Sequence, residues 1–167
     1  MSEHLDRAEL EIRLWKEIDK ARFGMLGLAG GPPRHMQPMT AYADKEEGAL
    51  WFFTKRTSDL VKETGFEGHA AMFCVLSKDQ EFQACVGGDL VADHDREKIG
   101  KYWNAVAAAW FPEGKDDPDL TLLKFTPADA QVWVSRSGPL NFAWEIAKAN
   151  ATKTVPDVGD AAHLNLN

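Results

Sequence analysis

Few residues in this chain match, by type and spacing, a known catalytic or metal-binding motif. The five histidines are scattered without metal-ligand spacing, and no C-x-x-C, H-E-x-x-H or G-x-S-x-G motif occurs. Neither glycine-rich nucleotide-binding loop is present. His94 precedes Asp95 at a predicted helix start, where capping is the commoner role, and His35 could face a ligand. An enzyme with such a sequence would depend on a bound cofactor for its chemistry.

Three further polar positions lie in predicted strands. Gln83 alternates with the apolar Phe82 and Ala84, so its side chain lies on the opposite face of the strand. An amide there offers two donors and one acceptor to a ligand. Cys74 and Cys85 each lie in an apolar run, which predicts two reduced thiols in the core of a cytoplasmic protein.

Composition excludes several classes of protein. The 167 residues suffice for one ordinary domain, and 44% hydrophobic with 27% charged residues is typical of a globular chain. The formal net charge is −7, from 19 basic and 26 acidic residues, which argues against a nucleic-acid partner. No apolar run approaches the roughly 18 residues of a membrane helix, and the acidic start lacks a secretory signal, so we expect a cytoplasmic protein.

Hydrophobic periodicity predicts short strands between glycine- and proline-rich turns, with helices at the start, in the middle and at the end. The predicted helices cover residues 3–22, 58–66, 95–110 and 139–149. The predicted strands cover residues 23–29, 34–43, 49–54, 69–77, 81–92, 119–126 and 130–136, with a turn at 126–129. Gly87 and Gly88 indicate a bulge or a close backbone approach.

Several of these strands are apolar on both faces, which favours a closed or strongly curled sheet covered by helices. Tight turns between neighbouring strands favour antiparallel pairing. We therefore predict a mainly β fold with helices, an α+β β-barrel with an antiparallel sheet, as one domain over residues 1–150. Residues 151–167 have weak periodicity and are predicted to be a loosely attached C-terminal tail.

Several stretches resemble one known family and occur in the order expected for it. They are Phe23-Gly24-Met25-Leu26, Gln37-Pro38-Met39, Leu50-Trp51-Phe52-Phe53-Thr54 with Ser58, Gln83 to Gly88, Trp110-Phe111-Pro112-Glu113-Gly114, Asp116-Asp117-Pro118-Asp119-Leu120 and Trp133. Over residues 5–149 the chain is similar to the FMN-binding split β-barrel of the pyridoxamine 5′-phosphate oxidase superfamily, in its bacterial general stress protein branch.

The resemblance implies an FMN site and a homodimer with flavin sites at the interface, each built from both chains. The candidate cofactor-binding residues are Gln37, Pro38, Met39, Thr40, Phe53, Thr54, Ser58, Lys62, Gln83, Trp110 and Trp133. Trp110 and Phe111 are expected to reach across the interface, with Trp133 as the alternative. For each of these residues, ordinary packing or capping is a competing interpretation.

Some positions depart from the family pattern. The family commonly has an arginine where Gln37 stands and a lysine or arginine where Leu60 stands, and Asp59 is unfavourable beside a phosphate. Arg34, Lys55, Arg56 and Lys62 are nearby in sequence and could compensate. The substrate-binding arginine and histidine of the longer oxidase have no counterpart in residues 137–167.

Two functions follow from the resemblance. The first is an FMN-dependent oxidoreductase of unknown substrate, in which the flavin carries the hydride. The alternative is a stress-response protein that binds flavin, haem or a deazaflavin without turnover. No catalytic residue and no metal ligand is identified.

Overall fold

The structure, a computed structural model, describes residues 6–30, 35–136 and 138–167, without the side chain of Pro139. These residues form five α-helices and eight β-strands. The helices are α1 (Arg7–Ala21), α2 (Asp59–Thr64), α3 (Arg96–Tyr102), α4 (Ala105–Trp110) and α5 (Pro139–Thr152). The strands are β1 (Phe23–Leu28), β2 (Gln37–Thr40), β3 (Tyr42–Asp44), β4 (Ala49–Lys55), β5 (His69–Leu76), β6 (Phe82–Asp93), β7 (Leu120–Ser135) and β8 (Gly159–Asn165).

The strands form one antiparallel sheet in the order β2-β1-β5-β6-β7-β4-β3, with β8 paired to β7. Along one edge β7 pairs with β6, and along the other it pairs first with β4 and then with β8. The sheet forms a half-barrel with helices against it. The predicted fold class, a mainly β antiparallel split barrel flanked by helices, is confirmed.

The barrel interior is closed by α1. Asp6 caps this helix, because its carboxylate accepts a hydrogen bond from the Ala8 N–H at 3.0 Å. Leu10, Leu14 and Ile18 recur every four residues, so they form one apolar face, and all three are buried in the barrel core. The core also contains the aromatic side chains of Phe52, Phe73, Phe82 and Phe125. Burying each such side chain contributes roughly 1.5–3 kcal/mol before entropy costs.

A second apolar cluster lies on the other face of β4 and β7, and explains why β4 is apolar on both faces. It contains the buried side chains of Trp51, Ile99, Phe111, Leu120 and Leu122. The predicted helix over 95–110 is wrong as a single element, because it is interrupted between α3 and α4. Trp103 adopts an extended ψ of 130°, and the Asn104 side chain accepts hydrogen bonds from the first N–H groups of α4.

The predicted turn at 126–129 is also wrong, because β7 runs through it as one strand of 16 residues. Its pairing with β6 shifts register between Gly87 and Gly88, opposite Pro127. A Cβ atom on Gly88 would lie 2.3 Å from the Thr126 carbonyl oxygen, so only glycine allows this approach. The predicted bulge and close approach at Gly87-Gly88 are therefore confirmed. The bulge accommodates Pro127, which had indicated a turn in the sequence.

The C-terminal residues are not the loosely attached tail that weak periodicity predicted. β8 pairs with β7 from Gly159 opposite Ser135 to Asn165 opposite Asp129. Leu164 is its one buried side chain, so the strand carries little hydrophobic signal in sequence and depends on backbone pairing. In the described part of the chain, no helix combines the length and apolar character needed to cross a membrane.

Candidate functional site

One group of candidate residues meets at the mouth of the barrel, between β2 and α2. The Thr54 hydroxyl, at the end of β4, donates to the Ser58 Oγ at 3.2 Å. Ser58 also caps α2, since its Oγ accepts from the Val61 N–H at 3.3 Å. A cavity of about 400 Å³ opens beside them and is lined by Leu28, His35, Met36, Gln37, Asp59, Leu60 and Glu63. The sequence-predicted Gln37, Thr54 and Ser58 thus lie at one end of the barrel.

The charges at this mouth are mixed. Lys62 and Asp59 form an ion pair at 3.7 Å, with side chains 62% and 92% exposed. Glu63 adds a second carboxylate to the cavity lining, whereas His35 and Gln37 offer hydrogen-bonding groups. Leu60, where the family commonly has a basic residue, is buried in the barrel core. Among the described residues at this mouth, the Thr54 and Ser58 hydroxyls and Lys62 are available to an anionic ligand, and Arg34 lies outside the described residues.

Four further candidate residues lie in β2 and β4, and two of them, Met39 and Phe53, pack against other side chains. In β2, Met39 packs against the barrel core, while Pro38 lies opposite Met25 of β1 on the outer face. Thr40 pairs with Phe23 at the end of the same ladder. Phe53 packs edge-to-face against the rings of Tyr42, at 5.5 Å, and Trp103, at 5.9 Å.

Gln83 and Trp133 form a separate pair on the outer face of the sheet. They lie directly opposite each other in β6 and β7. Trp133 is 45% exposed. The Gln83 Nε2 donates to the carbonyl oxygen of Gln80, in the turn between β5 and β6. The alternation that predicted an outward Gln83 is confirmed by the buried Phe82 and Ala84 on either side of it.

The outer-face pair is remote from the mouth of the barrel within one chain. Thr54 pairs with Thr121 of β7, whereas Gln83 pairs with Trp133, twelve residues farther along that strand (121 to 133). Twelve residues correspond to roughly 40 Å of extended strand. Gln83 and Trp133 therefore lie near one end of β7, whereas Thr54 pairs near the other end.

The two aromatic residues expected at an interface differ from each other. Trp110, at the end of α4, is 67% exposed. Phe111 is buried in its own chain, where its ring centroid lies 6.5 Å from that of Trp103. The expectation that Phe111 reaches across an interface is therefore wrong, because the chain turns after α4 and places the ring in the second cluster.

Sequence reasoning missed an ionic cluster around Asp44, at the β3–β4 turn. The Asp44 Oδ2 accepts hydrogen bonds from Lys98 Nζ at 2.7 Å, Lys101 Nζ at 3.0 Å and the Tyr102 hydroxyl at 2.9 Å. The Lys98 hydrogen bond is the largest cause that holds the pKa of this carboxyl well below its usual range, against the opposing effect of burial. Lys98 and Lys101 are three residues apart on α3, but nothing in sequence indicates that Asp44 faces them.

Glu47 joins the same cluster from the turn. Its carboxylate contacts Lys98 Nζ at 2.7 Å and Lys124 Nζ at 2.5 Å, and the Lys124 hydrogen bond is the first cause that lowers its pKa. Both ammonium groups also lie over the Trp51 ring, at 5.6 Å and 5.4 Å from its centroid. These residues link α3 and β7 to the β3–β4 turn.

A second cavity, of about 580 Å³, lies between α5 and the β5–β6 turn. Its lining includes the carboxylates of Asp79, Glu81, Glu145 and Asp157. Asp157 is paired with Arg136 and Glu145 with Lys148, but among the described residues the lining itself holds acidic and no basic side chains, which disfavours a nucleotide phosphate there.

Sequence reasoning also placed both cysteines in the core, whereas both are half-buried. Cys74 and Cys85 lie opposite each other in β5 and β6, with their Sγ atoms 3.4 Å apart. The signal that could have found this pair is the turn at 78–80, because folding the two strands about that turn places 74 opposite 85.

The sequence is similar to known proteins along most of its length. A family model described as pyridoxamine 5′-phosphate oxidase like matches residues 9–157. General stress protein 26 of Bacillus subtilis (strain 168) is 23% identical over 132 residues, which are 77% of this chain and 91% of that protein.

Solved structures agree. A protein from Jannaschia sp. CCS1, assigned as a general stress protein 26, is 37% identical with a TM-score of 0.78, over 95% of this chain and 99% of that chain. The general stress FMN/FAD binding protein of Xanthomonas citri is 34% identical with a TM-score of 0.72, over 78% of this chain and 92% of that chain. With a matching model over most of its length and these relatives, the chain belongs to the pyridoxamine 5′-phosphate oxidase-like family, among its general stress proteins.

Proposed function

We propose that the chain binds FMN and acts as a flavin-dependent oxidoreductase of unknown substrate. The observation that carries this is the hydrogen-bonded pair of Thr54 and Ser58 hydroxyls, which immediately precedes α2, together with the cavity that Gln37 lines with Asp59 and Leu60 of that helix. The FMN/FAD binding named for the Xanthomonas citri relative supports it.

The donor set at the mouth fits FMN, although two carboxylates, Asp59 and Glu63, line the same cavity. The Thr54 and Ser58 hydroxyls can donate to a phosphate, and Lys62 supplies a positive charge on the same helix turn. Gln37 and Gln83 would provide amides for the polar edges of the ring. The Asp59 carboxylate repels the phosphate, but its side chain is highly exposed, so solvent and salt screen the repulsion. Bound FMN would supply two-electron redox chemistry, for which the protein binds and orients the ring.

A second copy of the chain is part of this function. Gln83 and Trp133 pair near one end of β7 and Thr54 near the other, which supports a flavin site that takes these groups from two chains. The exposed indole rings of Trp110 and Trp133 are the aromatic surface that such an interface would cover. We therefore propose a homodimer with two flavin sites, each built from both chains.

The first experiment is a visible spectrum of the purified protein, followed by titration with FMN and with riboflavin. We expect a flavin absorption doublet, and tighter binding of FMN than of riboflavin, because only FMN carries the phosphate. A protein that remains colourless after FMN is added would contradict the proposal. A Soret band would indicate haem instead.

The shared site is tested by mixing two variants, Gln83→Ala and Thr54→Ala. Each alone is expected to bind FMN weakly. If each site takes Gln83 from one chain and Thr54 from the other, a hybrid dimer has one doubly altered site and one intact site. We expect the mixture to recover tight FMN binding in part. If mixing recovers none although hybrid dimers are detected by mass spectrometry, each site uses one chain only.

Turnover is tested separately, in the absence of oxygen, by adding reduced nicotinamide cofactors to the FMN-loaded protein. Bleaching of the flavin absorption would support an oxidoreductase. A protein that binds FMN but is bleached by no donor would favour the role of a flavin-binding protein without turnover.

A further inference from the structure

Cys74 and Cys85 are the two cysteines of the chain and form one cross-strand pair. The Cys74 thiol is directed at the Cys85 sulfur, with an Sγ–Sγ distance of 3.4 Å. A disulfide has an S–S distance of about 2.05 Å, so the two sulfurs need to approach by only about 1.4 Å. Rotation of the two side chains can supply such a movement.

The backbone at this pair is suited to a disulfide. The Ser77 N–H donates to the Phe82 carbonyl, so Ser77 and Phe82 form a hydrogen-bonded pair. Hydrogen-bonded and non-hydrogen-bonded pairs alternate along an antiparallel ladder, so Cys74 and Cys85, three pairs farther on, form a non-hydrogen-bonded pair. Cα atoms in such pairs are about 4.5 Å apart, within the range of about 4.4–6.8 Å that disulfides span.

The two thiols lie among uncharged neighbours. Both residues are half-buried on the outer face of the sheet. Met25 lies opposite Cys74 in β1, and Gln131 lies opposite Cys85 in β7. The two strands are neighbours in one chain, so the relation between the sulfurs is set within that chain whether or not a second copy lies over this face.

The two sulfurs are not equivalent. Burial, and then the hydrogen bond to Cys85, raise the pKa of Cys74 to about 11. Cys74 therefore keeps its proton at neutral pH, and the geometry directs this proton toward the Cys85 sulfur.

We propose that Cys74 and Cys85 are a reversible redox site, a dithiol that a hydroperoxide oxidises to a cross-strand disulfide within one chain. The Cys85 sulfur attacks a peroxide oxygen, so an S–O bond forms, the O–O bond breaks, and the leaving oxygen takes a proton. The Cys74 sulfur then attacks the Cys85 sulfur, the S–S bond forms, and the S–O oxygen leaves as water with the Cys74 proton. With hydrogen peroxide, two thiols lose two electrons and two protons, and two water molecules form. No flavin is required.

The test treats the full-length protein with hydrogen peroxide, stops the reaction with catalase and alkylates the remaining thiols. We expect both thiols to be lost together, the intact mass to fall by two hydrogen atoms, and peptide mapping to join residue 74 to residue 85. Dithiothreitol should restore both thiols. Dithiothreitol treated in parallel shows whether the peroxide dose is sufficient to oxidise a dithiol. If the protein keeps two alkylatable thiols at a dose that oxidises dithiothreitol completely, or forms a disulfide between chains, the proposal is overturned.

Cys74→Ser and Cys85→Ser are matched controls, since each removes one sulfur and preserves its size. In Cys74→Ser we expect Cys85 to accumulate as a sulfenic acid that dimedone traps. In Cys85→Ser we expect Cys74 to react about tenfold more slowly than the first thiol of the unaltered chain. Equal rates in both variants, with sulfenic acid accumulating in the unaltered protein, would show two independent thiols.

An experiment on the unaltered protein avoids any folding defect of the variants. Phenylarsine oxide binds two neighbouring thiols through one arsenic atom. We expect one arsenical per chain, loss of both free thiols, and reversal by a dithiol but not by an equal amount of a monothiol. Reversal by the monothiol, or no binding, would contradict a paired site.

Discussion

The two ends of β4 carry polar clusters of opposite character. Before β4, Asp44 and Glu47 face Lys98, Lys101 and Lys124, and both carboxylates have cationic partners within 3.0 Å. At the other end of β4, Thr54 shares a hydrogen bond with Ser58, which precedes the helix whose Asp59 and Leu60 line a cavity of about 400 Å³. The first cluster uses its polar groups to hold α3 against the sheet, whereas the second leaves hydroxyls and an amide beside open space. Ligand binding is therefore expected at the second end.

The largest expected effect is on the first end. Asp44→Ala removes a buried carboxylate and leaves Lys98 and Lys101 without it, so we expect a loss of about 3 kcal/mol in the free energy of unfolding. Urea denaturation measures this loss. Glu46→Ala, at an exposed position in the same turn, is the control and should change stability little. Equal losses in the two variants would show that the Asp44 cluster does not stabilise the fold.

The same carboxylate should make stability depend on acid pH. The hydrogen bond from Lys98 is the chief cause that lowers the pKa of folded Asp44, and an unfolded aspartate titrates near about 3.9. A lowered folded pKa stabilises the protein above the unfolded value, and this contribution is lost as the pH falls below about 4. We expect the urea midpoint of Asp44→Asn to fall less between pH 7 and pH 3 than that of the unaltered protein. Parallel profiles would contradict the assignment.

At the second end, Thr54→Ala should leave stability nearly unchanged and weaken FMN binding. A hydrogen bond to a charged group contributes about 1.5 kcal/mol or more, so we expect the dissociation constant to rise about tenfold. Thr54→Ser keeps the hydroxyl and should retain most of the affinity. Fluorescence titration with FMN measures the difference, and unchanged binding in Thr54→Ala would remove this residue from the site.

The smallest expected effect concerns Asp59. Unlike the carboxylates of the first end, it is highly exposed and pairs with Lys62 only at 3.7 Å. Asp59→Asn removes a negative charge beside the proposed phosphate position, but the side chain is 92% exposed. We therefore expect FMN to bind about threefold more tightly, an effect that salt reduces. Riboflavin binding should not change, because riboflavin lacks the phosphate. Equal tightening of both ligands would place the phosphate elsewhere.

The architecture was predictable where local pattern and tertiary structure agree. Alternation around Gln83 and the double glycine at Gly87-Gly88 gave the correct face and the correct bulge, because both depend on neighbouring residues alone. The predictions at Pro127 and Trp103 are wrong because the structure there depends on more than the pattern of neighbouring residues. A bulge absorbs the proline, and an asparagine side chain starts a new helix where the apolar spacing continues unbroken.

The candidate site was predictable in part. The resemblance named Thr54, Ser58 and Gln37, which the structure places at one end of the barrel. It did not show that Gln83 lies at the far end of the β6–β7 ladder, because sequence order carries no information on that separation. The Asp44 cluster was missed for a similar reason: its partners are 54 to 58 residues away in the chain.

The position of β7 between its neighbouring strands sets the order in which parts of the sheet are expected to unfold. With β6 along one edge and β4 followed by β8 along the other, most of its 16 residues lie between two neighbouring strands. Release of β8 from its place at the edge would expose amides in only the second half of β7. Amide hydrogen exchange should therefore be fast in β8, slower in the second half of β7, and slowest where β4 and β6 enclose the strand, as in a protein that unfolds from its C-terminus inward.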